Sequence, residues 1–473
     1  MRAIKVKELA RAVSGKLLRG EAEAVVASVS TDTRTMKNGD VFIALIGERY
    51  DAHNFLSQAV TKGASALIVS RFEDGFLPAE KGPAVILVDD TTAALQRLAR
   101  YNRQESGIPV VAVTGSNGKT STKDLLAAVL ATRFNTVKTR ANLNNHIGLP
   151  LTLLEIEETT EIAVVEMGMR GRGEIAELCS IALPTVGVIT NIGESHLELL
   201  GSRENIAQAK GELLDFLPPE GMALLNGDDD LLPGQADRCR CPVYFFGSGD
   251  NCQIRVKDIV TRLEGSEFSV TTPWGEGRFF LAAPGRHNVW NALPAVALGL
   301  RYGLTAEEIG TALSNVRLTG MRMEVLQGEG ITVINDAYNA SPLSMKAALD
   351  FLAAMSGRRV AVLGDMYELG ERTEEGHREV GAYAARMGVD LLVVTGKYAE
   401  LMAAGALAAG MDRSRIKIYP EPETLIAHLP QLIQKGDVVL VKASRGMQLE
   451  RVIRVLVPLG ENRKTSAQEE KEN

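Results

Sequence analysis

The stretch PVVAVTGSNGKTSTKDLLAAVL, residues 109–130, leaves a chain few ways to fold. Pro109 to Val113 is a short β-branched run, the pattern of a strand buried in a parallel sheet. Thr114-Gly115-Ser116-Asn117-Gly118 is turn chemistry. From Lys119 onward, apolar residues at Leu125, Leu126, Val129 and Leu130 follow a helical period. A strand that turns through glycines into a helix start is an anion site, because backbone N–H groups and the positive helix end face the phosphates. Lys119 would neutralise the terminal phosphates, and Thr120 could hold Mg²⁺. The first glycine of the longer G-x-x-x-x-G-K-[ST] pattern would fall at position 113, which is valine, so the loop is the shorter TGxxGK[ST] form. Thr114 through Ser121 are expected to bind ATP or GTP.

At 473 residues the chain has room for about three domains of ordinary size. Its apolar content of 45% supplies ample core for a soluble protein. The net charge of −7, with basic residues scattered, argues against non-specific nucleic-acid binding. No apolar segment approaches the ~18 residues of a membrane span, and MRAIKVKELARAVSG lacks a signal-peptide core, so a cytoplasmic location is expected. Cys239, Cys241 and Cys252 cluster without the paired hooks of a zinc site and read as reduced thiols.

The organisation reads as α/β throughout, in three domains. Residues 1–103 form a smaller α/β domain of short strands and a helix or two, in DVFIALIG, FLSQAVTKGASALIVS and PAVILVDD, and YNRQESG (101–107) reads as the linker after it. Residues 104–317 form a central P-loop-type parallel-sheet domain, alternating strand and helix through EIAVVEMG, TVGVITNIG and GMALLNGD. Residues 318–460 form a doubly wound, Rossmann-like domain with strands GITVIND, RRVAVLGDM, DLLVVTG and GDVVLVKAS. Lacking a phosphate loop of its own, it suits closure over a nucleotide held by its neighbour. Residues 461–473 are charged and expected to be disordered.

Three features of the central domain go beyond nucleotide binding. The strand IAVVEMG delivers Glu166 to the carboxyl edge of the sheet, as a hard ligand for Mg²⁺ or as a solvated strand end. His196 follows the strand TVGVIT, as a metal or phosphate contact or as a surface histidine. SRENIAQAKGELLDFL reads as an amphipathic helix whose buried stripe is Ile206, Ala209, Leu213, Leu214 and Leu217. Lys210 falls on that stripe and must snorkel, pair or be chemically changed. A neutral amine there could take up CO₂ and become an anionic carbamate.

With these motifs in order, the chain resembles the Mur ligases, ATP-dependent amide-forming enzymes of peptidoglycan assembly. TGSNGKTS, EMG, NIGESHLELLGS, AQAKGEL and GRHNVWNALPA match their middle domain. STDTR and DVFIALIGERYDAHNF look like their UDP-sugar-binding first domain. Within the family, VVEMGMRGRGEI, NDAYNASPLSMKAAL and LGDMYELGE most resemble the member that adds D-alanyl-D-alanine to UDP-N-acetylmuramoyl-tripeptide. Ser195, Ser341 and Ala443 depart from common family residues.

The resemblance implies ATP and Mg²⁺, two ions, with a carbamylated lysine. It places Lys119, Glu166, His196 and Lys210 in catalysis, and Thr120, Glu166, His196 and carbamylated Lys210 around the metals. Asn288 and Asn291 would serve the adenine side, and Arg322, Asp336 and Tyr338 would close on the nucleotide. Substrate contacts are expected from Ser30, Thr31, Asp32, Arg34, Gly47, Glu48, Arg49, Asp51 and His53 toward the UDP-sugar. Asn142, Asn144 and Asn145 form a second substrate group, and Lys442, Ser444 and Arg445 would orient the peptide. The implied partners are the two small-molecule substrates, without nucleic acid or membrane span, and the expected state is a monomer. The alternatives are the sibling ligase that adds the third residue and, further off, folylpolyglutamate synthase.

Overall fold

The computed structural model describes residues 1–72, 75 and 82–457; the tail expected to be disordered lies outside the described residues. Three sheets account for most of the fold. In the first, strands Val29–Ser30, Val41–Ile43, Ala66–Val69 and Ala84–Leu87 run parallel, with Lys16–Arg19 antiparallel at one edge.

The run expected as a linker is instead the last part of helix Thr91–Ser106. Asp90 caps its start by accepting from the Thr92 and Ala93 amides, and left-handed Gly107 ends it. The run is polar, but two of its polar residues are buried. Asn102 donates to the Leu153 and Ile156 carbonyls, and Arg103 to those of Ala182 and Leu183, where two helices of the second domain end. Their polarity satisfies helix ends and does not mark a solvated tether.

The nine-stranded central sheet runs in parallel from Thr136–Lys138 through Ile162–Glu166, Val110–Thr114, Val186–Ile189, Met222–Asn226 and Val243–Gly247 to Ile254–Arg262. The alternation with helices expected over the whole domain does not hold to its end. Gly265–Thr272 and Gly275–Leu281 add two antiparallel strands, turning at left-handed Gly265 and Gly275. A Cβ at Gly265 would come within 2.1 Å of the Leu281 carbonyl oxygen, so only glycine fits that turn. Helix Lys119–Leu130 packs on helix Arg286–Arg301, through contacts such as Val129 against Gly299.

In the third sheet, Thr332–Asn335, Asp437–Lys442, Arg358–Leu363, Leu391–Thr395 and Ile416–Tyr419 are parallel, with Glu324–Gln327 antiparallel at the edge. The carboxyl ends of its central strands face those of the second sheet. The four free cysteines include Cys239 and Cys241, whose sulfurs lie 3.0 Å apart. Among the described residues no helix is long and apolar enough to cross a membrane.

Candidate active site

A cavity of about 1000 Å³ lies between the second and third sheets. Its floor is the phosphate loop, and the adjacent strand's end sets the loop's shape. The Thr190 hydroxyl donates to the Asn117 carbonyl, the Asn191 side chain binds both the N–H and C=O of Asn117, and Ser116 N–H donates to the Asn191 carbonyl. Gly115 and Gly118 have positive φ; Cβ atoms there would lie 1.9 Å from Thr190 Oγ1 and 2.3 Å from Asn291 Oδ1. Lys119 Nζ donates to the Gly115 and Ser116 carbonyls. Burial lowers its pKa, opposed by Glu166 and assisted by Arg322. The Thr114 hydroxyl donates to the Met167 carbonyl, and Ser121 lines the cavity beside Thr120.

Glu166 ends the strand next to the loop and is only 2% exposed. Its Oε1 accepts from Asn144 Nδ2 at 2.8 Å, while its buried Oε2 has no partner. Asn142 and Asn145 also line the cavity, and Asn145 caps its own turn, its side chain accepting from the Ile147 and Gly148 amides.

His196 has left-handed φ and lies at the cavity edge, its Nδ1 2.6 Å from Glu368 Oε2 of the third domain. That contact holds the Glu368 carboxyl below its ordinary range. Lys210, on helix Arg203–Asp215, is not among the residues lining the cavity and is 1% exposed, so it does not snorkel. Burial, and next the charge of Lys119, pushes its pKa well below the lysine range.

Asn288 and Asn291 both line the cavity and brace one another: Asn291 Nδ2 donates to Asn288 Oδ1, and Asn288 Nδ2 to the Pro284 carbonyl. His287 and Trp290 project from the same helix turn, a pair that motif reading passed over. Trp290 Nε1 donates to Asp228, and burial lowers the His287 pKa.

From the third domain, Arg322 donates to Thr120 Oγ1 at 2.9 Å and stacks 4.0 Å over the Tyr338 ring. Asp336 and Lys442, assigned to different ligands from sequence, form one ion pair at 2.5 Å, and Lys442 also donates to the Asn339 carbonyl. Ser444 Oγ accepts from Tyr367 N–H, and Arg445 pairs with Glu450 at the rim. Ser341 caps helix Pro342–Ala353 and donates to Asn117 Oδ1 across the cleft.

The first-domain residues do not line this cavity. They gather instead at the carboxyl ends of the first sheet. Asp32 holds Arg34 through both carboxylate oxygens, beside Ser30 and Thr31. Asp51 binds the backbone and ring of His53 and also Arg71, while His53 Nε2 accepts from Ser70 N–H. Gly47 closes the loop onto Tyr50, with Glu48 and Arg49 exposed between them.

Among the described residues no cluster of three or more His, Cys, Asp or Glu could hold a metal unaided. Mg²⁺ seldom needs one, since it takes one or two protein oxygens with substrate phosphates and water. The Thr120 hydroxyl and the unpartnered Glu166 Oε2 fit that requirement.

Profiles of three families match the chain in order: "Mur ligase family, catalytic domain" at residues 25–103, "Mur ligase middle domain" at 113–299, and "Mur ligase, glutamate ligase domain" at 321–445. The UDP-N-acetylmuramoyl-tripeptide--D-alanyl-D-alanine ligase of Bacillus subtilis (strain 168) is 43% identical, over 96% of this chain and 98% of its own. The crystal structure of MurF from Acinetobacter baumannii aligns with a TM-score of 0.87 at 32% identity, covering 96% of this chain and 99% of that one. MurF ligase from Thermotoga maritima in complex with ADP gives 0.79 at 30% identity, covering 91% and 97%.

Proposed function

The chain belongs to the Mur ligase family, and from that premise we propose how its cleft performs the reaction. It is an ATP-dependent ligase that adds D-alanyl-D-alanine to UDP-N-acetylmuramoyl-tripeptide. A carboxylate is a poor acylating agent because its oxide leaves badly. Here the terminal carboxylate of the tripeptide attacks the ATP γ-phosphorus and ADP leaves, giving an acyl phosphate. The free amine of D-alanyl-D-alanine then attacks that carbonyl, and phosphate departs with one of the original carboxylate oxygens.

The difficulty is charge, since an anion must approach a polyanion. The chain answers with position and electrostatics. The loop amides and Lys119 hold the β- and γ-phosphates, and Arg322 brings a second cation to Thr120. The paired Asp336 and Lys442 fix the third-domain wall, and closure shields the acyl phosphate from water. Thr120 and Glu166 Oε2 would hold Mg²⁺, which when bound supplies charge neutralisation between carboxylate and triphosphate.

Lys210 suits carbamylation. Burial and the charge of Lys119 favour the neutral amine, which forms a C–N bond to CO₂ with release of one proton, and the resulting anion would be attracted to Lys119. With His196 it would hold a second ion. The UDP-sugar is assigned to the first-domain set around Asp32, Asp51 and His53. We place the enzyme in the cytoplasm, where ATP and nucleotide-activated sugars are found, acting as a monomer.

The supporting observation is that one cavity joins the phosphate loop, the free Glu166 oxygen and the third-domain Arg322. The test measures ADP formation with UDP-N-acetylmuramoyl-tripeptide plus D-alanyl-D-alanine, and with UDP-N-acetylmuramoyl-dipeptide plus single amino acids. Turnover is expected only with the first pair, and oxygen-18 in the tripeptide carboxylate should pass into the released phosphate. Turnover with the dipeptide alone, or unlabelled phosphate, overturns the reading.

A further inference from the structure

The helix that follows the phosphate loop carries a buried charge cluster that the reaction above leaves unused. Lys123 and Asp124 are each 1% exposed. Asp124 Oδ1 accepts from Lys138 Nζ at 2.8 Å and lies 3.2 Å from Lys123 Nζ, which also donates to the Thr139 carbonyl. Asp124 Oδ2 takes two further bonds, from Thr319 N–H at 2.9 Å and from Thr319 Oγ1 at 2.7 Å.

Thr319 lies where the chain passes from the second domain to the third, between helix Ala306–Asn315 and strand Glu324–Gln327. Shortly after it, Arg322 donates to Thr120. Thr120 and Asp124 are four residues apart, on one face of the same helix. That face therefore grips the crossing at two points. Met321 and Met323 beside the grip have positive φ, 61° and 52°, a conformation that persists only where the surroundings over-determine it. Burying paired charges adds little net stability over apolar packing, so the cluster's evident product is geometry.

We propose that Asp124 is a positioning residue: through Thr319 it fixes the interdomain crossing so that Arg322 lies on Thr120, and the phosphate-loop helix thereby sets the orientation of the third domain. The consequence for turnover rests on the reading of the loop as the ATP site. The geometry itself does not.

Thr319→Val removes the hydroxyl donor and keeps the N–H and the side-chain shape, and Thr319→Ser keeps the hydroxyl. Both avoid stripping Lys123 and Lys138 of their counter-charge, as changing Asp124 would. Pulsed electron resonance between spin labels at Asp237 and Arg413, in the nucleotide-free full chain with Cys239→Ser, reads domain orientation whatever the activity. Thr319→Val should broaden the distance distribution and lower kcat about 5- to 20-fold, with ADP affinity changed less than about 2-fold. Thr319→Ser should match the parent in each. An unbroadened distribution in Thr319→Val, or equal impairment of Thr319→Ser, overturns the proposal. A parent protein that fails to bind ADP would count against the ATP reading, leaving the distance result to decide this one.

Discussion

The side-chain amide of Asn144 donates to Glu166 Oε1 at 2.8 Å and leaves Oε2 of the same carboxylate buried and unpartnered. One oxygen is oriented so that the other can serve. Neighbours that orient a metal ligand contribute about 10–100-fold to affinity or activity, so Asn144→Ala is expected to raise the Mg²⁺ requirement and lower kcat within that range. A Mg²⁺ titration of ADP formation checks it. An unchanged midpoint would return Asn144 to a purely local role.

Lys119 is the cation of the phosphate loop, tied to the Gly115 and Ser116 carbonyls. Lys119→Ala should reduce phosphate release by at least about 100-fold, the scale on which a preorganised charge acts on a developing anion. Phosphate release at saturating ATP is the measurement. Residual activity near that of the parent enzyme would end the assignment of this loop to the reacting phosphates.

What the sequence made legible was local. The phosphate loop, the helix after it and the buried stripe holding Lys210 each follow from spacing within a few turns, and each has that local form in the structure. The partners of those residues come from elsewhere. Asn144 lies 22 positions before Glu166, and Lys442 lies 106 after Asp336, so no period or motif could pair them. Thr190 and Asn191 shape the phosphate loop because two strands distant in sequence are adjacent in the sheet. Asn102 and Arg103 misled for the opposite reason. Polar residues suggest a solvated linker, and only the packed helix ends they satisfy reveal why they are buried.

His377 supplies a pH prediction. It is fully buried, with Nε2 accepting from Met366 N–H at 3.0 Å and Nδ1 donating to the Thr373 carbonyl at 2.6 Å, which selects the neutral ring. Burial is the main cause of a pKa below that of free histidine; the Thr373 carbonyl and Asp365 oppose it. The unfolded chain, at about 6.5, therefore binds the proton first. Stability is retained above that pH and falls as pH drops from there toward the folded value. Thermal unfolding of the parent between pH 7.5 and 5.5 should show this loss, and His377→Gln should show a shallower one. Parallel curves for the two proteins would refute it.

Lys210 tests the chemistry most directly, because burial leaves its amine without solvent and beside another cation. If the carbamate provides the needed anion, Lys210→Ala should lose at least about 100-fold in kcat. Acetate or formate should then restore part of it by occupying the space of the missing carboxylate, whereas Lys210→Arg should stay inactive and unrescued. Carbon-13 NMR in labelled bicarbonate gives a readout apart from turnover: a carbamate signal in the parent protein that is missing from Lys210→Ala. Full activity in Lys210→Ala, or no such signal in an active parent, would make Lys210 an unmodified buried amine whose only role is to pack.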